Sequence, residues 1–137
     1  MNTTFVDASF LFAFVLTDDA NHERARAWEH CLGGRLLTTE YVLIELADGL
    51  AAPALRDLAG ETLEVIRSRP GIAVIPASTA LMDEGVVVYR QHKDKRWSLT
   101  DCISFVVMRR EGIRDALTSD HDFEQAGFQA LLRTDPS

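Results

Sequence analysis

Short apolar runs alternate along the chain with longer stretches whose apolar positions recur at helical spacing. Thr4-Phe5-Val6 is a strand-like run that ends at Asp7. Ser9, or the turn Asp7-Ala8-Ser9, starts a helix over Phe10 to Leu16, apolar on all sides and so expected to be buried. The polar stretch Thr17 to Asn21 offers caps for a helix over His22 to Leu32, which Gly33-Gly34 stops. Arg35 to Thr38 reads as a second strand and Tyr41 to Leu50 as a helix. Pro53 fits the start of another helix, running to Ser68, and Arg69-Pro70-Gly71 breaks the chain. Ile72 to Ile75 is a third strand, closed by Pro76. Ser78 or Thr79 caps a helix through Gln91, and a polar stretch to Trp97 follows. Ser98-Leu99-Thr100-Asp101 precedes a strongly apolar helix, Cys102 to Met108, with Gly112 as its stop. Ala116-Leu117-Thr118 is a fourth strand, and Phe128 to Leu132 is a candidate fifth.

Strands separated by helices imply crossover connections and a mostly parallel sheet covered on both faces. The pattern predicts an α/β fold, a three-layer α/β/α sandwich. With 137 residues and no linker, repeat or low-complexity tract, a single domain over 1–137 is expected.

Composition adds constraints. Hydrophobic residues make up 47% and charged residues 26%, which suits a packed core and is too apolar for disorder. Lys plus Arg is 14 and Asp plus Glu is 21, a net charge of −7, which excludes a domain that binds nucleic acid through its overall charge. Asp7 interrupts any signal-like apolar segment, and Phe10 to Leu16 is far short of the roughly 20 residues that span a bilayer. A cytoplasmic protein is expected, with no membrane segment. Cys31 and Cys102 fit no metal spacing and read as buried, reduced thiols, a long-range disulfide being the alternative.

The acids carry the chemical signal. In open α/β sheets, ligands bind beyond the carboxyl ends of the strands. Asp7 directly follows the first strand and Asp120 follows the fourth; Asp101 opens the helix that leads into that strand. Glu45 stands alone among Tyr41, Val42, Leu43, Ile44 and Leu46, on the helix after the second strand. Each has a plainer reading. Asp7 can be a turn acid, Ser98-x-x-Asp101 and Ser119-x-x-Asp122 both match a capping box, and Glu45 can face solvent. What favours a site is their shared edge. Two carboxylates about 4 Å apart repel by roughly 4 kcal/mol at an effective dielectric near 20. A group of them must protonate, separate or hold a cation. With only hard oxygen donors, that cation would be Mg²⁺ or Mn²⁺ rather than Zn²⁺, in a site suited to metal-assisted phosphodiester hydrolysis. Ser9, Thr100 and Thr118 are placed to orient the carboxylates, with cap or turn roles as the alternative.

Phe5-Val6-Asp7-Ala8-Ser9, the lone Glu45, Trp97-Ser98-Leu99-Thr100-Asp101-Cys102 and Leu117-Thr118-Ser119-Asp120-His121-Asp122-Phe123 together resemble the PIN domain, in particular the VapC-like toxins of bacterial toxin–antitoxin pairs. The resemblance covers nearly the whole chain. It implies a parallel five-stranded sheet and a Mg²⁺- or Mn²⁺-dependent endoribonuclease, in which metal-activated water leaves a 5′-phosphate and a 3′-hydroxyl. Asp7, Glu45, Asp101 and Asp120 match the family's acidic quartet, and Asp122 matches an acid that some members add. Glu40 and Asp48 compete with Glu45 for its place. The family further implies a homodimer and a small antitoxin protein that fills the active-site groove; Phe10 to Leu16 and Tyr41 to Leu50 could face either partner, or be core.

Arg90, Lys93, Lys95 and Arg96 fall just before Asp101, with Trp97 beside them, and Arg109, Arg110 and Arg114 lie further on. They predict an RNA-guiding rim with Trp97 stacking on a base, the alternative being a solvated loop with Trp97 in the core. His22, His30, His92 and His121 read as surface or capping residues; His121 lies between two candidate site acids. The competing functions are a catalytically idle PIN-like module binding RNA or protein, a phosphoacceptor receiver and a phosphatase. The receiver lacks an acceptor Asp after the third strand and any Lys after Lys95; the phosphatase lacks a second Asp at Ser9.

Overall fold

A computed structural model describes residues 2–137. Five strands form one sheet: β1 (Thr3–Val6), β2 (Arg35–Thr39), β3 (Ile72–Ile75), β4 (Asp115–Leu117) and β5 (Gln129–Ala130). The order is β3-β2-β1-β4-β5 and every pairing is parallel. The expected α/β architecture is therefore present. Successive strand side chains point to opposite faces, yet Thr4, Phe5 and Val6 are all buried, so helices cover both sides.

Seven α-helices supply the crossovers: α1 (Ala8–Val15), α2 (His22–Cys31), α3 (Glu40–Gly49), α4 (Arg56–Ser68), α5 (Thr79–Gln91), α6 (Leu99–Glu111) and α7 (His121–Gln125). Helix α1 is less enclosed than its composition suggests. Phe10, Leu11 and Ala13 are buried, whereas Phe12, Phe14 and Val15 are only partly covered. Pro53 opens a 3-10 turn, Pro53–Leu55, and α4 follows it.

Helix α6 starts three positions before the expected Cys102 because Ser98 caps it and Asp101 completes a capping box. It ends at Gly112, whose φ of 68° is the left-handed conformation that favours glycine. Strand β5 is shorter than the Phe128–Leu132 segment, since Leu131–Arg133 winds into a 3-10 turn. Cys31 is exposed, against expectation, because it ends α2 at the surface; Cys102 is buried, and both are free. His22 is also buried, with Nδ1 2.8 Å from the Ala13 carbonyl of α1.

The strand order matters for function. From β1 the chain moves outward to β2 and β3, then returns to place β4 on the other side of β1. The switch in direction falls between β1 and β4, the point beyond whose strand carboxyl ends open α/β sheets bind their ligands.

Candidate active site

Asp7 is the first residue after β1 and caps α1. It is buried at 4% exposure, which pushes its carboxyl above the usual range; hydrogen bonds to the charged form oppose the rise. Those bonds converge on Oδ2. The Thr118 hydroxyl donates at 2.7 Å and the Ser9 hydroxyl at 2.8 Å. Ser9 and Thr118 are themselves 3.0 Å apart, Ser119 N–H donates to Ser9 Oγ at 3.1 Å, and Asp120 N–H donates to Thr118 Oγ1 at 3.0 Å. The two hydroxyls thus tie the end of β1 to the segment after β4. Thr100 does not join them. Its carbonyl accepts the Ser104 hydroxyl, and its side chain bonds no acid among the described residues.

Asp101 lies at the third position of α6, where its Oδ2 accepts the Ser98 N–H at 3.2 Å. The capping-box reading is correct, and it coexists with a place in the acidic cluster. Carboxylate oxygens of Asp101, Asp120 and Asp122 lie within 4.8 Å of one another. Burial first, then the charge of Asp7, pushes Asp101 up to about 7, with Asp120 and Glu45 adding to the rise. Glu45 also rises to about 7, from burial and then from Asp7 and Asp120. It is half-buried, while Asp48 is exposed and Glu40 is occupied accepting the Ala77 N–H at 2.6 Å. That settles which acid of α3 faces the others.

The second capping box does not form. Asp120, not Ser119, caps α7, its Oδ1 accepting the Asp122 N–H at 2.9 Å. Asp122 is thereby free to turn its carboxylate toward Asp101 and Asp120, and burial followed by the Asp120 charge raises its pKa. His121 stays exposed, 3.2 Å from Glu124 Oε1, outside the cluster.

Sequence patterning misses what holds these segments in place. Phe105 packs edge-on against Trp97 at 5.0 Å and against Phe123 at 4.9 Å, and Phe123 lies 6.5 Å from Phe5. This aromatic chain joins β1, α6 and α7, the elements that carry Asp7, Asp101 and Asp120. The sequence signal was present in the apolar residues flanking each acid, but it could not say that they touch.

The donor set is chemically consistent with a hard divalent cation. The clustered atoms are all carboxylate oxygens, and their raised pKa values come first from burial and then from mutual repulsion, both of which a bound cation would offset. Cys102, the adjacent thiol, is pushed up to about 11 by burial and lies outside the group of clustered ligand atoms.

The PIN-domain family model matches residues 4–129. The chain belongs to the PIN-domain family. Its 23S rRNA-specific endonuclease relative VapC20, from two strains of Mycobacterium tuberculosis, is 30% identical over 139 residues, covering 90% of this chain and 94% of the relative. The crystal structure of Mycobacterium tuberculosis VapC20, described as a Sarcin-Ricin loop cleaving toxin, superposes with a TM-score of 0.87 at 28% identity, covering 97% of this chain and 99% of that one. VapBC2 from Rickettsia felis, bound to a promoter DNA fragment, gives 0.68 at 11% identity, covering 93% and 96% of the two chains. FitAcB from Neisseria gonorrhoeae gives 0.64 at 16% identity, covering 93% and 94%. At these last two identities the likeness speaks to the fold.

Within this PIN domain, Trp97 is not a stacking platform. It is 6% exposed, its Nε1–H donates to Gln125 Oε1 at 3.0 Å, and both neighbouring rings are packed on it. The later arginines are likewise engaged: Arg109 lies over Phe128 and donates to the Ala126 carbonyl, and Arg110 pairs with Glu84 at 2.7 Å. Arg114 sits beside Thr3 and Gln129 at the amino ends of the strands, the opposite edge from the acids.

Proposed function

We propose that this PIN domain is a divalent-metal-dependent endoribonuclease acting as the toxin of a toxin–antitoxin pair. The observation that carries the reading is the convergence of Asp101, Asp120 and Asp122, with Asp7 and Glu45 electrostatically coupled to them at the sheet's switch point. Asp7, Glu45, Asp101 and Asp120 are the catalytic acids, with Asp122 a fifth ligand candidate, and Mg²⁺ or Mn²⁺ the cofactor. A bound divalent cation would lower the pKa of an attacking water, neutralise phosphate charge and support the leaving oxygen. Ser9 and Thr118 hold Asp7 in one orientation by fixing Oδ2. Asp101 and Asp120 are held by helix starts, so both carboxylates project from backbone that cannot readily move. Without a cation Glu45 is raised to about 7 by burial and then by the charges of Asp7 and Asp120, and a bound cation would favour its charged form.

RNA is the substrate class that the curated relative supports. The partner reading has its own support. An apolar groove of about 290 Å³, lined in part by Phe10, Phe14, Val15, Val65 and Ile66, offers a small antitoxin protein a face for an apolar helix. Half-exposed Ile44 on α3 and Met82 on α5 offer a homodimer face. No helix among the described residues is long and apolar enough to cross a membrane.

Cleavage of a structured RNA in Mn²⁺ by the parent and by Asp7→Asn and Asp101→Asn tests the reading. Each variant is expected to lose at least a hundred-fold in rate while retaining a cooperative melt. Parent-like cleavage by both would sink the assignment of the site.

A further inference from the structure

Beyond the acids, the connection from α5 to α6 borders a cavity of about 560 Å³. Its rim carries Tyr89, Arg90, Lys93, Lys95 and Arg96, its floor is Trp97, and no acidic residue lines it among the described residues. The chain as a whole has a charge of −7, so a lining with four cations and no acid stands against the overall balance. These cations are also poorly neutralised. Arg24, Arg69, Arg110 and Arg133 each have a carboxylate partner at 2.7–3.6 Å, whereas Arg90, Lys93 and Arg96 have none among the described residues. Lys95 reaches only its exposed neighbour Asp94, at 3.5 Å.

The floor gives the groove a direction. Trp97 is bonded to Gln125 of α7, the helix that Asp120 caps, and Cys102 on the groove wall follows Asp101 directly. The groove therefore adjoins α6 and α7, the two helices whose first turns carry Asp101 and Asp122. Tyr89, on the last turn of α5, is 50% exposed, a large aromatic ring left uncovered beside cations. Bases stack on such a ring only when they are unpaired, and phosphates seek the cations.

We propose that this groove is the path along which a single-stranded stretch of RNA reaches the carboxylates, with Tyr89 stacking on a base and Arg90, Lys93 and Arg96 contacting phosphates. The proposal rests on the ribonuclease reading and moves the stacking role from buried Trp97 to Tyr89. Tyr89 is a positioning residue; it touches RNA away from the bond that breaks.

The test titrates labelled single-stranded RNA with the full chain in EDTA, between 50 and 200 mM salt, and reads fluorescence anisotropy. Parent affinity is expected to fall with salt despite the negative net charge. Replacing Arg90, Lys93 and Arg96 together by Ala is expected to weaken binding at least ten-fold at low salt. The same triple variant should flatten the log–log salt slope by about 2, at roughly 0.7 per lost single-strand contact. Tyr89→Ala is expected to weaken binding by roughly five- to hundred-fold without changing the slope, and Tyr89→Phe to restore it. In Mn²⁺ the same variants should raise KM far more than they lower kcat.

Unchanged affinity and slope in the triple variant overturn the proposal, as does a Tyr89→Ala protein that binds like the parent. A parent that binds no RNA, or binds a duplex of the same sequence equally well, also overturns it. So does a groove whose variants lose affinity only for an acidic peptide. The underlying reading fails separately: if Asp101→Asn still cleaves, the acids are misassigned, while binding in EDTA continues to report on the groove.

Discussion

At the scale of the residue, Asp101 answers to two opposed demands. As a capping-box acid it accepts the Ser98 N–H at a helix start, where the local dipole favours its charge. As a member of the cluster it is buried, and burial first, then the charge of Asp7, outweighs the cap and raises it from 3.8 to about 7. The sign of the pH effect follows. An acid whose pKa is higher in the folded chain contributes stability below its unfolded value, and that contribution is lost as pH rises through about 7. In EDTA, Asp101→Asn keeps a cap acceptor and sheds the repulsion. It is expected to melt above the parent at pH 8, to keep only part of that advantage at pH 5 and to lose it below pH 4, as followed by circular dichroism. A difference independent of pH would remove repulsion as its cause. Trp97 was ambiguous at this scale, because an indole beside four cations suits both a core and a base. Only the Phe105 and His92 rings packed on it decided for the core.

At the scale of the element, long periodic segments were legible and short ones were not. Ser78 and Gly112 marked the ends of α5 and α6 correctly because cap chemistry is local. Helix α7 has five residues, too few for a period to show, and the Ser119-x-x-Asp122 match leaves open a capping box or a metal role for Asp122; the cap falls to Asp120. The structure assigned Ser119's N–H to Ser9 instead, a contact across 110 positions that no local pattern carries. The pairing of α5 with α6 has a local requirement of its own. Gly85 of α5 faces Ile103 of α6, and a Cβ there would overlap the Ile103 side chain. Gly85→Ala is expected to cost about 1–3 kcal/mol by overpacking, more than the gain in helix propensity returns. The drop in melting temperature should be roughly 4–10 °C. A variant as stable as the parent would mean that α5 and α6 can separate freely.

At the scale of the whole molecule, the strand order concentrates charge at one point. Successive turns from different ends of the chain meet at the switch between β1 and β4, and the apolar interior behind them leaves the acids little water for relief. A divalent cation supplies what the protein alone lacks, so it should stabilise the folded chain by mass action, about 2.7 kcal/mol at a hundred times Kd. Melting in increasing Mn²⁺ is expected to show a larger rise at pH 7.5 than at pH 5, where the raised acids hold protons. The rise should shrink in an Asp120→Asn, Asp122→Asn double variant; a rise that survives in that variant would place the ion elsewhere. The net charge of −7 did not exclude an RNA-binding role, since charge is partitioned: acids gather at the switch point and unpaired cations beside it.

By itself the sequence determined the alternation of strands and helices, the mostly parallel sheet, and the placement of Asp7, Asp101 and Asp120 toward its carboxyl edge. Those features depend on periodicity, caps and the order of segments, which are local. The tertiary structure decided the rest. It turned Glu45 rather than Asp48 toward the other acids, gave the α7 cap to Asp120 and left Asp122 beside it, buried Trp97 and left Tyr89 open. Each of these outcomes turns on which distant side chain fills the neighbouring space, and packing between remote segments has no signature in any one of them.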